Sequence, residues 1–338
     1  MIRVMSVLLL IAMVESASIC DGDHPLAAPG VTSLTDTSVS YRVPSTHHVV
    51  LQRGPVTAII VDNAAVDVPE LPAHRAGYNG VASLTHRDRP ANLFVPSIAG
   101  LNFEHIHDGT AAGLVEKFEP RKFPMQLRVV DSHTVELYQP PTGNWQLESC
   151  GRYELLDDGC IEYTFECIPR ADAYRQGFIG LFWASYIHRP EDKAIHFPGI
   201  IRGKGAQTSW IRAETPMHGV DSTHPPADYA HEIAVDDDFP LTLVNHPSKY
   251  VHTEPWYYGV SHSMALVQMF RDRDQIWLAQ SPSGGGNGNP AWDFQWFIPN
   301  YRMNEAYGFQ MRAAYLPFES HEQVVMATQR HRDALHQP

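Results

Sequence analysis

The sequence predicts an all-β protein, a large antiparallel β-sandwich followed by a short C-terminal helix. Short apolar runs recur along the chain, and several alternate apolar and polar residues with the period of two that half-buried strands show. The 26 Pro and 23 Gly residues require many turns. Only 19% of the residues are charged, below the usual quarter, which disfavours long solvated helices.

The predicted elements follow one another without a linker-like stretch, so we expect one strand-rich domain over residues 41–320. A signal peptide over 1–19 and a leader over 20–40 precede it, and a C-terminal helix and tail over 321–338 follow, with Ser320 placed to cap the helix. The predicted strands lie at 40–43, 57–61, 126–130, 134–138, 152–167 (a hairpin), 177–187, 241–244, 264–270, 275–280 and 307–315.

Composition limits the function classes. Lys and Arg number 25 against 38 Asp and Glu, for a net charge of -13, and an acidic surface repels phosphate. We therefore expect no nucleic-acid partner, and an anionic substrate would need a local basic patch. The hydrophobic content of 43% is enough for a large core, which excludes global disorder.

The N-terminus predicts export. Arg3 precedes an apolar run over 4–14 and the small residues of 16–18, the pattern of a secretory signal peptide; the alternative is an apolar first strand. No later segment is long and apolar enough to span a bilayer. We expect a secreted or periplasmic protein with no membrane contact after signal removal.

The cysteines leave two states open. If Asp158 and Gly159 form a two-residue hairpin loop, counting outward places Cys150 opposite Cys167. That count predicts either a cross-strand disulfide or two buried free thiols.

The segment 100–109 is the densest in chemistry. On a regular strand His105 and His107 share one face, with Glu104 and Asp108 on the other. The pair is compatible with a metal site, with acid–base catalysis, or with packing in a polar cleft. The acidic ligand that a double-stranded β-helix metal site requires three or four residues after the second His is missing.

Three further segments combine aromatic and polar side chains in the way that sugar sites do, although core packing also explains such clusters. On one, Asp293 and Gln295 share a face by the period of two, and beside it the Gly-rich stretch 283–290 predicts a loop at a cleft edge. The residues singled out in the three segments are Trp183, Tyr186, His188 and Arg189; Glu254, Trp256, Tyr258 and His262; and Trp292, Asp293 and Gln295.

The order of these blocks resembles the aldose 1-epimerase, or galactose mutarotase-like, superfamily over about residues 50–320. Asn102 with His105-Ile-His107-Asp108-Gly109 is similar to its early substrate segment. The hairpin at 153–165 is similar to its central hairpin, and Ser185-Tyr186-Ile187-His188 stands where the family has Asn-His. The blocks at 180–187, 254–259 and 281–295 are similar to a branch of secreted bacterial proteins within that superfamily.

The resemblance implies a supersandwich fold with sugar chemistry on its concave face. It implies that His105 or His107 binds and polarises the sugar and that His188 is the acid. The family's late catalytic Glu has no clear counterpart, and Glu254 and Asp293 are the candidates for it. The same sandwich serves lyases and glycosidases, and Tyr186, Tyr257 and Tyr258 leave a lyase open.

The sequence thus predicts an exported carbohydrate-active protein that uses His and carboxylate acid–base chemistry on a sugar or polysaccharide, in the manner of an epimerase, lyase or glycosidase. The alternatives are a non-catalytic glycan-binding module and a metal-dependent enzyme built on His105 and His107. We expect no cofactor and no metal ligand. The predicted catalytic residues are His107, His188, Glu254 and Asp293, and the predicted substrate-binding residues are Asn102, His105, Trp183, Tyr186, Arg189, Trp256, Tyr258, His262, Trp292 and Gln295.

Overall fold

The computed structural model describes residues 24–111, 116–205, 207–239, 247–286 and 288–336. The predicted signal peptide and the predicted strand at 241–244 lie outside these residues. The predicted all-β sandwich with a C-terminal helix is confirmed, because antiparallel strands dominate the described residues and the helix follows the last of them. No helix in the described ranges has the length and apolarity that crossing a membrane requires.

The strands form four sheets within the described residues. Their orders are β1-β2-β5, β3-β4, β14-β18-β19-β11-β6, and β13-β12-β16-β17-β20-β10-β9-β8-β7 with β15 also paired to β12. Strands β1 to β20 are, in chain order, His48–Arg53, Val56–Val61, Val66–Val68, Leu71–His74, Gly80–His86, Asn102–His107, Gln126–Val129, Thr134–Gln139, Leu147–Leu155, Ile161–Pro169, Phe178–Ala184, Ile195–Ile201, Ser209–Ala213, Thr223–His224, Tyr250–His252, Trp256–Ser261, Met264–Phe270, Trp277–Ser281, Ala291–Pro299 and Tyr307–Pro317.

Two α-helices and a 3₁₀ helix at Asp272–Asp274 are also described. The short helix α1 spans Glu119–Lys122, and the C-terminal helix α2 spans His321–Leu335. The predicted N-cap of α2 is confirmed, since the Ser320 hydroxyl accepts a hydrogen bond from the Gln323 N–H. Helix α2 packs on β17 and β20 and buries Val324 and Leu335 there.

The main core lies between the five-stranded and ten-stranded sheets. Trp183 stacks on Phe103 and Phe294 at 4.9 and 5.1 Å, and it meets Phe165 of the opposite sheet edge-on at 4.9 Å. Both Trp183 and Trp292 are fully buried in this core. The prediction that these two tryptophans bind substrate is therefore wrong, because the strand alternation turns them between the sheets.

The hairpin of β9 and β10 differs from the predicted one by one residue. Its loop is Asp157–Gly159, and the Leu156 N–H donates to the Cys160 carbonyl at 2.8 Å. Gly159 has a φ of 88°, the left-handed conformation that closes three-residue hairpin loops. Cys150 consequently pairs with Glu166 and Cys167 with Ser149, so the two thiols face opposite sides of the sheet.

The described cysteines are free thiols. Cys150, Cys160 and Cys167 are all buried, and burial raises the pKa of each thiol above its ordinary value. The predicted opposition of Cys150 and Cys167 is wrong, and of the two predicted states the structure has the free thiols.

The predicted leader is packed on the sandwich in its described part. Glu166 accepts hydrogen bonds from the backbone N–H groups of Val31 and Thr32 at 2.9 and 3.0 Å and from the Thr32 and Thr35 hydroxyls. An isolated bridge pairs Ala27 of this segment with Tyr307, and a second pairs Arg42, just beyond the segment, with Val129. A buried carboxylate therefore attaches this segment to the ten-stranded sheet.

Removing that carboxylate tests the attachment. Glu166→Ala leaves buried donors without their acceptor, and we expect it to lower the free energy of unfolding by about 3 kcal/mol. Glu162→Ala, on the same strand but at a partly exposed pair with Arg312, is the matched control and should cost less than about 1 kcal/mol. Urea unfolding measures both; equal costs would contradict a structural role for Glu166.

Candidate functional site

Polar side chains gather on the outer face of the five-stranded sheet, the face turned away from the main core. Successive side chains of β19 point to opposite faces of the sheet. Trp292, Phe294 and Trp296 point inward to the core, and Asp293 and Gln295 point outward. Strand β6, which β11 separates from β19, carries His105 and His107 on the same side, paired with Phe182 and Gly180 of β11. The predicted shared face of each pair is confirmed.

A β-bulge adds Glu104 to this face. His105 pairs with Phe182 while Phe103 pairs with Trp183, so Glu104 is the extra residue on β6. A regular strand would place Glu104 opposite to His105, but its carboxylate contacts side chains on the same face. Sequence reasoning missed Glu104 for this reason.

The Glu104 carboxylate is the centre of a buried hydrogen-bonded cluster. The Tyr186 hydroxyl donates to Oε2 at 2.6 Å, and the Asn102 amide donates to the same oxygen at 3.3 Å. On the other oxygen, Oε1, Arg121 Nη1 donates at 3.1 Å and His105 Nε2 lies at 3.4 Å. We call these five residues the Glu104 cluster.

Electrostatics keep Glu104 ionised. Burial alone would raise the pKa of Glu104, but the interactions with His105, the Arg121 guanidinium and the Tyr186 hydroxyl outweigh it and lower the pKa to about 2. Burial lowers the pKa of His105 and raises that of Tyr186 well above its ordinary value. Arg121 is thus the permanent cation of the cluster, beside a neutral imidazole and a protonated phenol.

Asp293 is a second buried carboxyl group on this face, and its pKa is shifted in the opposite direction. Its Oδ1 accepts a hydrogen bond from the Ser185 N–H at 3.0 Å, and the Ser281 hydroxyl donates to its Oδ2 at 3.0 Å. No part of Asp293 is exposed, and burial raises its pKa well above the ordinary value, with the negative charge of Glu104 adding to the effect. The surroundings of the two carboxyl groups therefore move their pKa values in opposite directions on a single sheet face.

The raised pKa of Asp293 predicts a pH dependence of stability. The folded protein binds this proton more tightly than the unfolded chain. The contribution of Asp293 to the free energy of unfolding is therefore complete below its ordinary pKa of 3.8, and it is lost as pH rises through the pKa that Asp293 has in the folded protein. We expect Asp293→Asn to reduce the slope with which stability falls as pH rises above 3.8, measured by urea unfolding at a series of pH values. An unchanged slope would show that Asp293 is ionised in the folded protein.

The two histidines of the predicted pair have separate aromatic neighbours. His105 stacks on Phe182 at 5.0 Å and meets Phe118 edge-on at 4.7 Å. His107 lies among Phe178, Phe239 and Phe297, with centroid distances of 5.5 to 6.2 Å. Within the described ranges no group of three or more His, Cys, Asp or Glu side chains is arranged to hold a metal ion.

His107 is sealed from solvent, in contrast to its predicted catalytic role. Its ring is fully buried, and a Cβ at Gly180 would lie 2.4 Å from it. Burial lowers the pKa of His107 to about 3, so the ring is neutral. His107 thus packs among the aromatic side chains of the sheet face.

The Glu104 cluster is covered by three segments. The Arg121 guanidinium of α1 lies 3.9 Å from the Tyr78 ring centroid, and Phe118 packs on His105. The described part of the predicted Gly-rich loop lies on Tyr186, where a Cβ at Gly284 would come within 2.7 Å of the ring. The described part of the loop therefore lies at the edge of the cluster.

His188, Arg189 and His262 form a separate group at the rim. The Arg189 N–H donates to the Asn289 side chain at 3.0 Å, and the His262 N–H donates to Glu191 at 2.7 Å. Burial lowers the pKa of His188, and the neighbouring Arg189 and His262 side chains lower it further. His188 is thus partly exposed and neutral near neutral pH.

Glu254, Trp256 and Tyr258 lie on or beside β16 of the ten-stranded sheet, not on the face of the Glu104 cluster. The sequence leads us to expect at least one exposed aromatic among 256–258, yet all three are buried. Tyr257 points towards the core and donates to the Asp293 carbonyl at 3.1 Å. Trp256 and Tyr258 point the other way and belong to the smaller core cluster that includes Val324 of α2.

Of the predicted site residues, the structure therefore brings together Asn102, His105, Tyr186, Asp293 and Gln295. It adds Glu104, Arg121 and Tyr78. Glu104 stood inside the predicted motif, but Arg121 and Tyr78 come from distant segments that carry no pattern of their own in the sequence.

Comparison with known proteins finds remote structural similarity. No protein-family model matches the chain, and no curated protein matches it. Among solved structures, the Slr1438 protein of Synechocystis sp. PCC 6803 is 9% identical, with 82% of this chain and 99% of that chain covered and a TM-score of 0.46. Galactose 1-epimerase from Lactobacillus acidophilus NCFM is 10% identical, with 83% and 100% covered and a TM-score of 0.43.

A third similar structure is a mutant of heparan sulfate lyase HepC from Pedobacter heparinus, at 10% identity. It covers 82% of this chain and 38% of the lyase chain, with a TM-score of 0.37. The relationship to aldose 1-epimerase and galactose mutarotase structures is remote. The functional argument therefore rests on the site itself.

Proposed function

We propose that the protein catalyses acid–base chemistry on a sugar or glycan at the Glu104 cluster and Asp293. The observation that carries this proposal is the pair of buried carboxyl groups on one sheet face whose environments move their pKa values in opposite directions. Environments that separate two such groups are typical of sites that need an acid and a base at the same pH.

His105 is the proposed base. Its Nδ1 is buried and has no hydrogen-bond partner among the described residues, so it can accept a proton from a substrate. The imidazolium that forms would lie 3.4 Å from the ionised Glu104, which stabilises it. Stacking on Phe182 fixes the ring orientation. This differs from the role implied by the family resemblance, in which His188 acts as the acid.

Asp293 is the proposed proton donor, because its carboxyl group keeps its proton well above the ordinary pKa. Tyr186 is a hydrogen-bond donor rather than a base, since burial and the neighbouring Glu104 keep its hydroxyl protonated. Elimination through a tyrosinate at this position is therefore disfavoured. Asn102 and Arg121 supply further donors, which together with Tyr78 suit a polyhydroxylated ring.

We also propose that the protein works outside the cytoplasm, as the N-terminal pattern indicates. The first experiment is a screen of the mature protein against neutral and anionic oligosaccharides. Anomer exchange, new reducing ends and unsaturated products are read in parallel by NMR. Turnover that Asp293→Asn and His105→Gln both reduce would support the proposal, whereas turnover that survives both substitutions would contradict it.

A pH–rate profile of a responsive substrate gives the second test. The base must be neutral, so the rate should rise with pH through a pKa below the ordinary histidine value of 6.5. The donor must be protonated, so the rate should fall again through a pKa well above 3.8. A rising limb centred above 6.5 would contradict the assignment of His105.

A further inference from the structure

A second site candidate lies on the other sheet, between the edge strand β13 and helix α2. This groove has a volume of about 380 Å³, at the small end of the range for ligand sites. We call it the Trp210 groove. Its lining includes Trp210, Trp256, Glu254, Ser209, Gln329 and Arg332. It lies apart from the Glu104 cluster, which is on the five-stranded sheet.

Trp210 provides a fixed aromatic surface in this groove. Its ring stacks on His321 of α2 at 4.9 Å and meets Trp256 edge-on at 5.3 Å. These contacts hold the indole in one orientation, yet the residue remains 40% exposed. A preoriented aromatic face binds the apolar face of a sugar ring with little loss of conformational entropy.

The polar groups of the groove are also fixed. The Arg332 guanidinium lies 4.4 Å from the Trp256 ring centroid and donates to the Thr328 hydroxyl at 3.0 Å and to Gln329 Oε1 at 2.5 Å. Trp256 Nε1 donates to Glu254 Oε2 at 2.9 Å. The groove thus offers one cationic donor and one anionic acceptor beside neutral amide and hydroxyl groups.

This balance of charges selects among possible ligands. Arg332 and Glu254 cancel in net charge, so the groove attracts neither an anion nor a cation strongly. The exposed indole favours a ligand with an apolar face, and the surrounding donors and acceptors favour hydroxyl groups. A sugar ring without charged substituents has both properties.

We propose that the Trp210 groove binds a neutral pyranose unit of an oligosaccharide. The site is independent of turnover at the Glu104 cluster. It would hold a glycan on the ten-stranded sheet whether or not the other sheet carries out chemistry.

Isothermal titration with maltohexaose, cellohexaose, xylohexaose and mannohexaose tests the proposal. At least one should bind, and Trp210→Ala should weaken its affinity about tenfold. Trp210→Phe, which keeps an aromatic face, should retain most of the affinity and guards against a folding defect in the alanine variant. Met326→Ala is the matched control, because Met326 is exposed on α2 and does not line the groove. This variant should bind the oligosaccharide with the affinity of the wild type.

Each outcome of these titrations either supports the proposed sugar site in the Trp210 groove or overturns it. No binding by any of the four oligosaccharides, or equal binding by wild type and Trp210→Ala, would overturn the proposal. Binding that His105→Gln abolishes and Trp210→Ala leaves intact would assign the ligand to the Glu104 cluster and overturn this site alone. Binding that depends on Trp210 in a protein without turnover would support the groove and count against the proposed function.

Discussion

Replacing His105 with glutamine is expected to reduce kcat on a responsive sugar substrate by at least about 100-fold, the usual contribution of a positioned general base. Glutamine keeps a polar side chain of similar length beneath Phe118 and on Phe182, but it cannot take up a proton at neutral pH. The Glu104 carboxylate at 3.4 Å then has no imidazolium to stabilise. Steady-state kinetics on purified protein, with circular dichroism as a folding check, measure the effect.

The control is His336→Gln, since His336 is an exposed residue at the end of α2 and takes no part in the site. Its kcat should equal that of the wild type. A His105→Gln variant that is folded and keeps more than about a tenth of the wild-type kcat would exclude His105 as the base. A higher KM with an unchanged kcat would instead indicate that His105 binds substrate without transferring a proton.

Replacing Glu104 with alanine is expected to lower the free energy of unfolding by about 3 kcal/mol, near the lower end of the range for breaking a buried ion pair. The variant leaves the Arg121 guanidinium, itself largely buried, without its carboxylate partner. It also leaves the Tyr186 hydroxyl without an acceptor. The measurement is urea unfolding with linear extrapolation.

A double-mutant cycle with Arg121→Ala separates the energy of the Glu104–Arg121 interaction from the cost of truncating each side chain. Because the double variant no longer contains an unpaired buried charge, its cost should be smaller than the sum of the single costs. Strict additivity would contradict a direct Glu104–Arg121 interaction. The cycle therefore tests whether these two residues act as a unit.

The sandwich was predictable because its signals are local. Period-two alternation, Gly and Pro turns and the Ser320 cap each depend on neighbouring residues, and they correctly predicted the sheet class and the C-terminal helix. The same alternation predicted that Asp293 and Gln295 share a face. Trp183 and Trp292 were assigned to a sugar site because composition alone does not tell which side of a strand faces the core.

The centre of the site was not predictable, because it depends on irregular backbone and on distant segments. The bulge on β6 reverses the expected side of Glu104, and no sequence signal marks a bulge at that residue. Arg121 reaches the cluster from α1, and its place beside Tyr78 follows from tertiary packing. An exposed aromatic residue was expected within 256–258, but Trp256 and Tyr258 pack in the same core cluster as residues of α2. The spacing of residues within 256–258 does not indicate this contact.

The most direct test of the account is the protonation state of the two buried carboxyl groups at neutral pH. Infrared difference spectroscopy compares the wild type with Asp293→Asn and with Glu104→Gln. We predict that Asp293→Asn removes a protonated-carboxyl C=O band and that Glu104→Gln removes a carboxylate band. Loss of a carboxylate band in both variants would show that both groups are ionised and would contradict the proposed pairing of a base site with a proton donor.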